Sequence, residues 1–160
     1  MNKKIVAIGS LILILSIGIA TVSAMPTNGG EVCIATVKIC PQALNLRSRG
    51  KWITAYVEIP GYDPHDINVS SMLMNITIPA EPKPKAIGDY DNDGIPDLMV
   101  KFDRAEVVSY VLANVNVLEL IEERFMSVTL TLTGKLNDGT PFQGNDTIEI
   151  VFIMPRWGRL

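Results

Sequence analysis

The chain has 160 residues, of which 48% are hydrophobic and 19% charged, and its formal net charge is −3. This length suits a single domain with its own buried core, and the absence of a basic cluster argues against a nucleic-acid-binding protein. With one histidine in the sequence, a histidine-rich metal site cannot form within the chain.

The first predicted element is a secretory signal peptide over residues 1–24. Two lysines precede an apolar run over residues 5–20, and small residues follow as far as Ala24. The apolar run is short for a membrane span of ~20 residues, so cleavage after Ala24 is favoured over an uncleaved membrane anchor. Cleavage would remove 24 of the 160 residues and two of the 14 basic side chains. The sequence therefore predicts an extracellular or cell-surface protein.

Residues 25–43 are predicted to form an N-terminal leader and a first strand candidate, Val32–Ile39. Cys33 lies near the start of this strand and Cys40 directly follows it. Two cysteines in a secreted chain suggest a disulfide. In one straight strand, however, the two thiols would lie ~23 Å apart on opposite faces, and a disulfide needs Cα atoms within ~7 Å. A bridged pair and two free thiols are both compatible with the sequence.

Residues 44–154 are predicted to form the main domain, with residues 155–160 as a tail. Trp52–Ile59 alternates apolar and polar side chains, which indicates a half-buried strand. A short helical turn is expected at Pro64, after the capping residue Asp63. Ser71–Ile78 is the next predicted strand, and the proline-containing residues 79–85 are expected to form an extended connection.

The acidic loop over residues 89–97 is the most specific motif in the chain. It matches the first nine positions of a calcium loop of the D-x-D-x-D-G type, with Gly94 at the sharp turn. Side chains at alternate positions of such a loop converge, and a hard cation relieves the repulsion among their carboxylates. The predicted Ca²⁺ ligands are four carboxylates and one backbone carbonyl: Asp89, Asp91, Asp93, Asp97 and the carbonyl of Ile95.

A solvated acidic turn without a metal is the alternative interpretation of this loop. Position 12 of the pattern is Val100, where an EF-hand has its bidentate glutamate, and the following residues alternate as in a strand. The loop is therefore not an EF-hand. A further ligand must come from water or from elsewhere in the chain, and four carboxylates are candidates for it: Asp103, Asp63, Asp66 and Glu81.

The C-terminal half is predicted to contain one short helix and a β-hairpin. Asp103 begins a capping-box pattern for a helix that reaches Asn114, and residues 115–125 are ambiguous between helix and strand. Met126–Leu136 alternates, residues 137–139 form a hairpin turn, and residues 144–146 indicate a bulge in the returning strand. Short strands with frequent turns predict a mainly β fold, an antiparallel Ig-like β-sandwich with one short helix and a calcium loop.

Three sequence blocks, residues 44–52, 89–102 and 132–142, resemble a family of secreted prokaryotic β-sandwich modules. In that family an LNLKSKG opening precedes a DVDGDGxxDLxxxF loop and strand, and an LTGxxxDGTPFxGxD hairpin follows. The calcium loop of these modules is similar to those of dockerins and thrombospondin type 3 repeats. The resemblance covers roughly residues 44–153, and the chain departs from it in its longer segment over residues 115–125. It implies calcium and a location outside the cell, without implying an activity.

The sequence leaves three functions open. The first is a non-catalytic, calcium-binding extracellular module with a structural, adhesive or accessory role, whose partner is a cell-surface protein or a glycan. The membrane would be a partner if the N-terminal segment stayed uncleaved. The second is a glycan-binding module with Trp52, Tyr56 and Tyr62 as a stacking platform, and the third is a hydrolase using the acids of the loop. Three Asn-x-Ser/Thr triplets, at Asn68, Asn75 and Asn145, either permit glycosylation or occur by chance.

Overall fold

The computed structural model describes residues 32–152, which fold into a mainly β structure with two α-helices. The predicted signal peptide and the tail at 155–160 lie outside the described residues. Nine strands are present in this part of the chain: β1 Cys33–Ile34, β2 Thr36–Cys40, β3 Ala43–Asn45, β4 Trp52–Glu58, β5 Ile67–Met74, β6 Ile78–Gly88, β7 Asp97–Asp103, β8 Phe125–Leu136 and β9 Pro141–Val151. The helices are a 3-10 helix at Pro64–Asp66, α1 at Arg104–Asn114 and α2 at Val117–Glu123.

The strands form one mixed, nearly closed sheet that resembles a barrel. Its order is β1-β9-β8-β5-β6-β7-β4-β2, and β3 also pairs with β9. The first strands bring the two ends of this order together, since β1 pairs with β9 and β2 pairs with β4. Between β1 and β2, where the chain passes from β9 to β4, the N–H of Ala35 donates a hydrogen bond to the carbonyl of Gln143 at 2.8 Å. A single N-terminal segment therefore contacts both edges of the sheet.

The mainly β prediction is confirmed, but a two-sheet antiparallel Ig-like sandwich is not. Both β1 and β3 run parallel to β9, while the other strand pairs are antiparallel. The predicted single helix is accompanied by a second one, α2, whose cap Asn116 accepts hydrogen bonds from the N–H groups of Leu118 and Glu119. Parallel pairing joins distant segments, so it leaves no pattern in a local stretch of sequence.

Residues 79–85 are extended, as predicted, but they belong to the long strand β6 rather than to a connection between strands. Ile78 and Pro79 pair with β5, and from Ala80 onward β6 pairs with β7. The pairing with β7 is interrupted by a register shift between Glu81 and Ala86. Prolines lack the N–H that a ladder requires, and they are tolerated at such irregularities. The acidic loop follows β6 directly in the chain.

The core lies inside the curved sheet and is filled by alternate residues of the strands. The alternation predicted for β4 and β7 is confirmed, since every second residue of each strand is a buried apolar residue, and burial of each large aliphatic side chain contributes about 1.5–3 kcal/mol. Helix α1 adds two fully buried valines, and α2 adds one leucine. The central residues are Ile53, Ala55, Val57, Leu98, Val100, Phe102, Val107, Val111, Leu120, Leu130, Leu132, Ile148 and Ile150.

Gly144 is required by close packing rather than by the predicted bulge. The β8–β9 register continues without a shift through Leu132 and Gly144, so the bulge predicted at residues 144–146 is absent. A Cβ at Gly144 would lie 2.4 Å from the carbonyl oxygen of Ala35 and 2.5 Å from Val37. Glycine at this position lets the N-terminal segment around Ala35 lie directly on β9.

We expect Gly144→Ala to destabilise the fold, because the new methyl group would force the Ala35 backbone away from β9. The expected loss is about 1–3 kcal/mol, the range for inserting a methyl group into a packed site, measured by urea-induced unfolding. Gly50→Ala is the matched control, since its Cβ would meet nothing closer than Arg104 Cδ at 3.6 Å. Equal stabilities of the two variants would show that the close contact at Gly144 is unimportant.

Candidate metal centre

The acidic loop lies at the tip of the β6–β7 hairpin. Gly88 at the end of β6 pairs with Asp97 at the start of β7, which closes the loop at its base. Two residues in the loop have positive φ, Asn92 at 64° and Gly94 at 91°. Glycine and asparagine are the residues that adopt this conformation most readily, so the local sequence dictates the tight turn.

Backbone N–H groups inside the loop hold the carboxylates in place. Asp89 accepts hydrogen bonds from the N–H of Asp93 at 3.1 Å and from that of Gly94 at 3.0 Å. Asp91 accepts a further bond from the N–H of Asp93 at 3.3 Å, and Asp93 accepts one from the N–H of Ile95 at 2.8 Å. Each oxygen keeps lone pairs beyond those used in these bonds, so the carboxylates can also bind a cation.

Three of the predicted ligands converge on one point. Asp89, Asp91 and Asp97 each offer a carboxylate oxygen, and these oxygens lie within 4.8 Å of one another. Such a group could hold a metal ion, and an all-oxygen ligand set suits hard cations. The structure does not place Asp93 in this group. Its role as a ligand, and that of the Ile95 carbonyl, remain predictions.

Asp97 is the most buried member of the group, with 6% of its surface exposed. Burial raises the pKa of its carboxyl group. The hydrogen bond from the N–H of Tyr90, at 2.9 Å, opposes this shift, and the nearby charges of Asp91, Asp93 and Asp89 reinforce it. A raised pKa means that the ionised carboxylate is unfavourable in its surroundings. A bound cation would remove this penalty.

The four carboxylates predicted as the further ligand do not join this group. Asp103 caps α1, accepting hydrogen bonds from the N–H groups of Ala105 and Glu106. Asp63 caps the 3-10 helix and contacts His65. Asp66 is the last residue of that helix, and Glu81 lies opposite Lys101 in the β6–β7 ladder. Local capping explains the first two carboxylates without a metal.

Two of the aromatic residues predicted as a glycan platform, Tyr56 and Tyr62, line different recesses. Tyr56 lies beside the acidic loop, where its ring packs against Tyr90 with centroids 4.5 Å apart. Tyr62 lines a different recess together with Val32 and Pro141. At the far end of β4, Trp52 lies under the ammonium group of Lys51, which is 4.4 Å from the ring centroid.

Cys33 and Cys40 are free thiols in this structure. They lie on β1 and β2, which pair with β9 and β4 at opposite ends of the sheet order.

The Nδ2 atom of Asn75 is buried without a hydrogen-bond partner, and the Oδ1 atom of this residue accepts a hydrogen bond from the N–H of Thr131. Glycosylation at Asn75 would therefore require the β5–β6 turn to open.

No family model, curated protein or solved structure matches this chain. The metal centre is therefore interpreted from its own geometry. Within residues 32–152, no helix has the length and apolar character needed to cross a membrane.

Asp63 provides a pH-dependent test of the capping assignment. Its pKa is lowered first by the backbone N–H of His65 and then by the imidazole, whose Nδ1 lies 2.7 Å away. A lowered pKa in the folded state stabilises the protein above the unfolded-state value, and this contribution is lost as the pH falls through the folded-state value. We expect carbon NMR titration to show the lowered pKa, and His65→Ala to move it only part of the way back because the backbone bond remains. A full return to the ordinary value would contradict the backbone cap.

Proposed function

We propose that the protein is a non-catalytic, extracellular calcium-binding module with a structural, adhesive or accessory role. The observation that supports the proposal is the convergence of Asp89, Asp91 and Asp97 on one point at the tip of the β6–β7 hairpin. The likeness of its sequence blocks to secreted calcium modules supports the same function. Its partners would be a calcium ion and a cell-surface protein or glycan.

Calcium is the cation that suits this ligand set best. The loop offers carboxylate oxygens on a short, exposed segment, and Ca²⁺ accepts six to eight oxygen ligands in flexible arrangements. Mg²⁺ requires a smaller, nearly ideal octahedron and retains several waters, while Zn²⁺ favours cysteine and histidine. Extracellular modules bind Ca²⁺ with dissociation constants of about 10⁻⁴–10⁻³ M. A site of that strength would be filled outside a cell.

The proposed role of the ion is to stabilise the hairpin. In its absence, the carboxylates repel one another, and the buried Asp97 carries an unfavourable charge. The ion would cancel these charges and fix the loop relative to β6 and β7, without any catalytic step. A hydrolase would need an acid or base placed against a substrate, and the acids of this loop are better suited to binding a cation.

Thermal unfolding in EDTA and in millimolar Ca²⁺, with Mg²⁺ for comparison, tests the proposal. We expect Ca²⁺ to raise the midpoint, because an ion at 100 times its dissociation constant stabilises the folded state by ~2.7 kcal/mol. Asp91→Ala should lower the stability in Ca²⁺ and have a smaller effect in EDTA. Asp66→Ala, which changes an exposed aspartate outside the group, is the control. Equal losses for Asp91→Ala in both conditions would refute the metal role.

A second candidate function, glycan binding, is favoured by a recess of about 450 Å³ beside the loop. Tyr56, Tyr90 and Lys38 line this recess together with Asp91 and Asp97. Aromatic rings and carboxylates provide stacking and hydrogen bonds for a sugar.

We expect a glycan array probed with the purified protein to give hits that Tyr56→Ala abolishes. Tyr62→Ala, which changes a tyrosine in another recess, should keep them. An array without hits for the unaltered protein would count against this function.

A further inference from the structure

Glu58, the last residue of β4, lies directly beside the acidic loop. The odd-numbered residues of β4 face the core, so Glu58 projects from the opposite face together with Tyr56. Val57 pairs with Leu98, and continuing this register places Glu58 opposite Asp97. Its other neighbour across the sheet is Thr36. Glu58 and Asp97 are therefore adjacent carboxylates on the outer face of two paired strands.

Glu58 is also buried, with only 8% of its surface exposed, although it projects away from the core. Within residues 32–152, no hydrogen bond or ion pair involves its carboxylate, and the sole ion pair there joins His65 and Asp63. Two lysines lie on this outer face: Lys101 donates to Thr54 at 2.7 Å, and Lys38, which pairs with Tyr56 beside the Thr36–Glu58 pair, forms no ion pair with Glu58. The side chain of Glu58 is thus largely covered, while its carboxylate oxygens keep contact with solvent and receive no hydrogen bond from the described residues.

The surroundings of Glu58 are unfavourable for a negative charge. The carboxylates of Asp93, Asp97 and Asp91 lie close enough to Glu58 for their like charges to repel its own. These are the carboxylates of the loop. A cation bound among them would offset this repulsion. The cation would serve Glu58 and the loop at the same time.

We propose that Glu58 supplies the cation site with the carboxylate ligand that the loop itself lacks. This inference rests on the proposed function, that the loop binds Ca²⁺. The loop has Val100 at position 12, so a ligand from a neighbouring strand would take the place of the missing glutamate. Glu58 is not among the three carboxylates within 4.8 Å of one another, and its rotatable side chain would close on the ion when it binds.

Because Glu58 lies on β4, an ion bound to it would affect more of the sheet than the acidic loop. Asp89 and Asp91 belong to the loop, Asp97 begins β7, and Glu58 ends β4. An ion shared by these residues would link three consecutive strands of the sheet order, β6, β7 and β4. Calcium would thereby stabilise the sheet itself and not merely order an exposed turn.

Calorimetric titration of the purified protein with CaCl₂ tests the inference through Glu58→Gln. The substitution keeps the size of the side chain and removes its charge, so we expect the dissociation constant to rise by at least ~10-fold, the lower range for groups that support a metal site. In EDTA, the melting temperature of Glu58→Gln should equal or exceed that of the unaltered protein, because one repelling charge is gone. A residue needed only for packing would not produce these opposite effects.

Glu81→Gln is the matched control, since Glu81 is a partly buried glutamate on β6, facing Lys101 in the same sheet. We expect it to leave calcium affinity unchanged. If the unaltered protein binds Ca²⁺ and Glu58→Gln binds it within two-fold as tightly, the role of Glu58 is refuted while the proposed function stands. Equal weakening by both substitutions would also refute it. If the unaltered protein binds no Ca²⁺, both proposals fail.

Glu58→Asp provides a second variant in case Glu58→Gln does not fold. It keeps the charge and shortens the side chain by one methylene group, so the carboxylate would reach the ion less well. We expect weaker calcium binding with the melting temperature in EDTA unchanged. Calcium affinity equal to that of the unaltered protein would overturn the inference.

Discussion

Electrostatic repulsion among carboxylates is the constraint on which the outer face of this sheet depends. Asp89, Asp91 and Asp97 hold oxygen atoms within 4.8 Å of one another, and backbone N–H groups of the loop keep these three side chains from turning away. Hydrogen bonds from neutral N–H groups offset only part of such a charge. The fold therefore assembles a group whose mutual repulsion a cation could relieve.

The sequence predicts well those elements whose signals are local. The alternation in β4 and β7, the capping pattern at Asp103 and the hairpin turn before β9 all depend on residues a few positions apart, and each element forms as expected. The nearly closed sheet could not be predicted in this way. It depends on the switch of the N-terminal segment from β9 to β4 at Ala35, and on the parallel pairing of β1 and β3 with β9. The contacts with β9 join residues more than 100 positions apart, and no local pattern encodes them.

In the candidate site, too, the sequence identifies the residues that are neighbours in the chain and misses the one that is distant. The spacing of the aspartates and the position of Gly94 identify the loop, because the residues that converge are also neighbours in the sequence. Glu58 precedes the loop by about thirty residues, and its position beside Asp97 follows from the register of β4 and β7. A glutamate in an alternating strand is expected to face solvent. Its burial outside the core is visible only once β2 and β7 are placed on either side of it.

The location of the site within the sheet gives a physical reason for a structural ion. Strand β6 carries three prolines, and its pairing with β7 is interrupted between Glu81 and Ala86, so this part of the ladder has fewer hydrogen bonds than the β8–β9 hairpin. The loop follows β6 directly, and the pair of Gly88 and Asp97 closes its base. An ion bound there would add a constraint beside this interrupted ladder. It would hold β6 and β7 together more firmly at the border of the recess lined by Tyr56 and Tyr90.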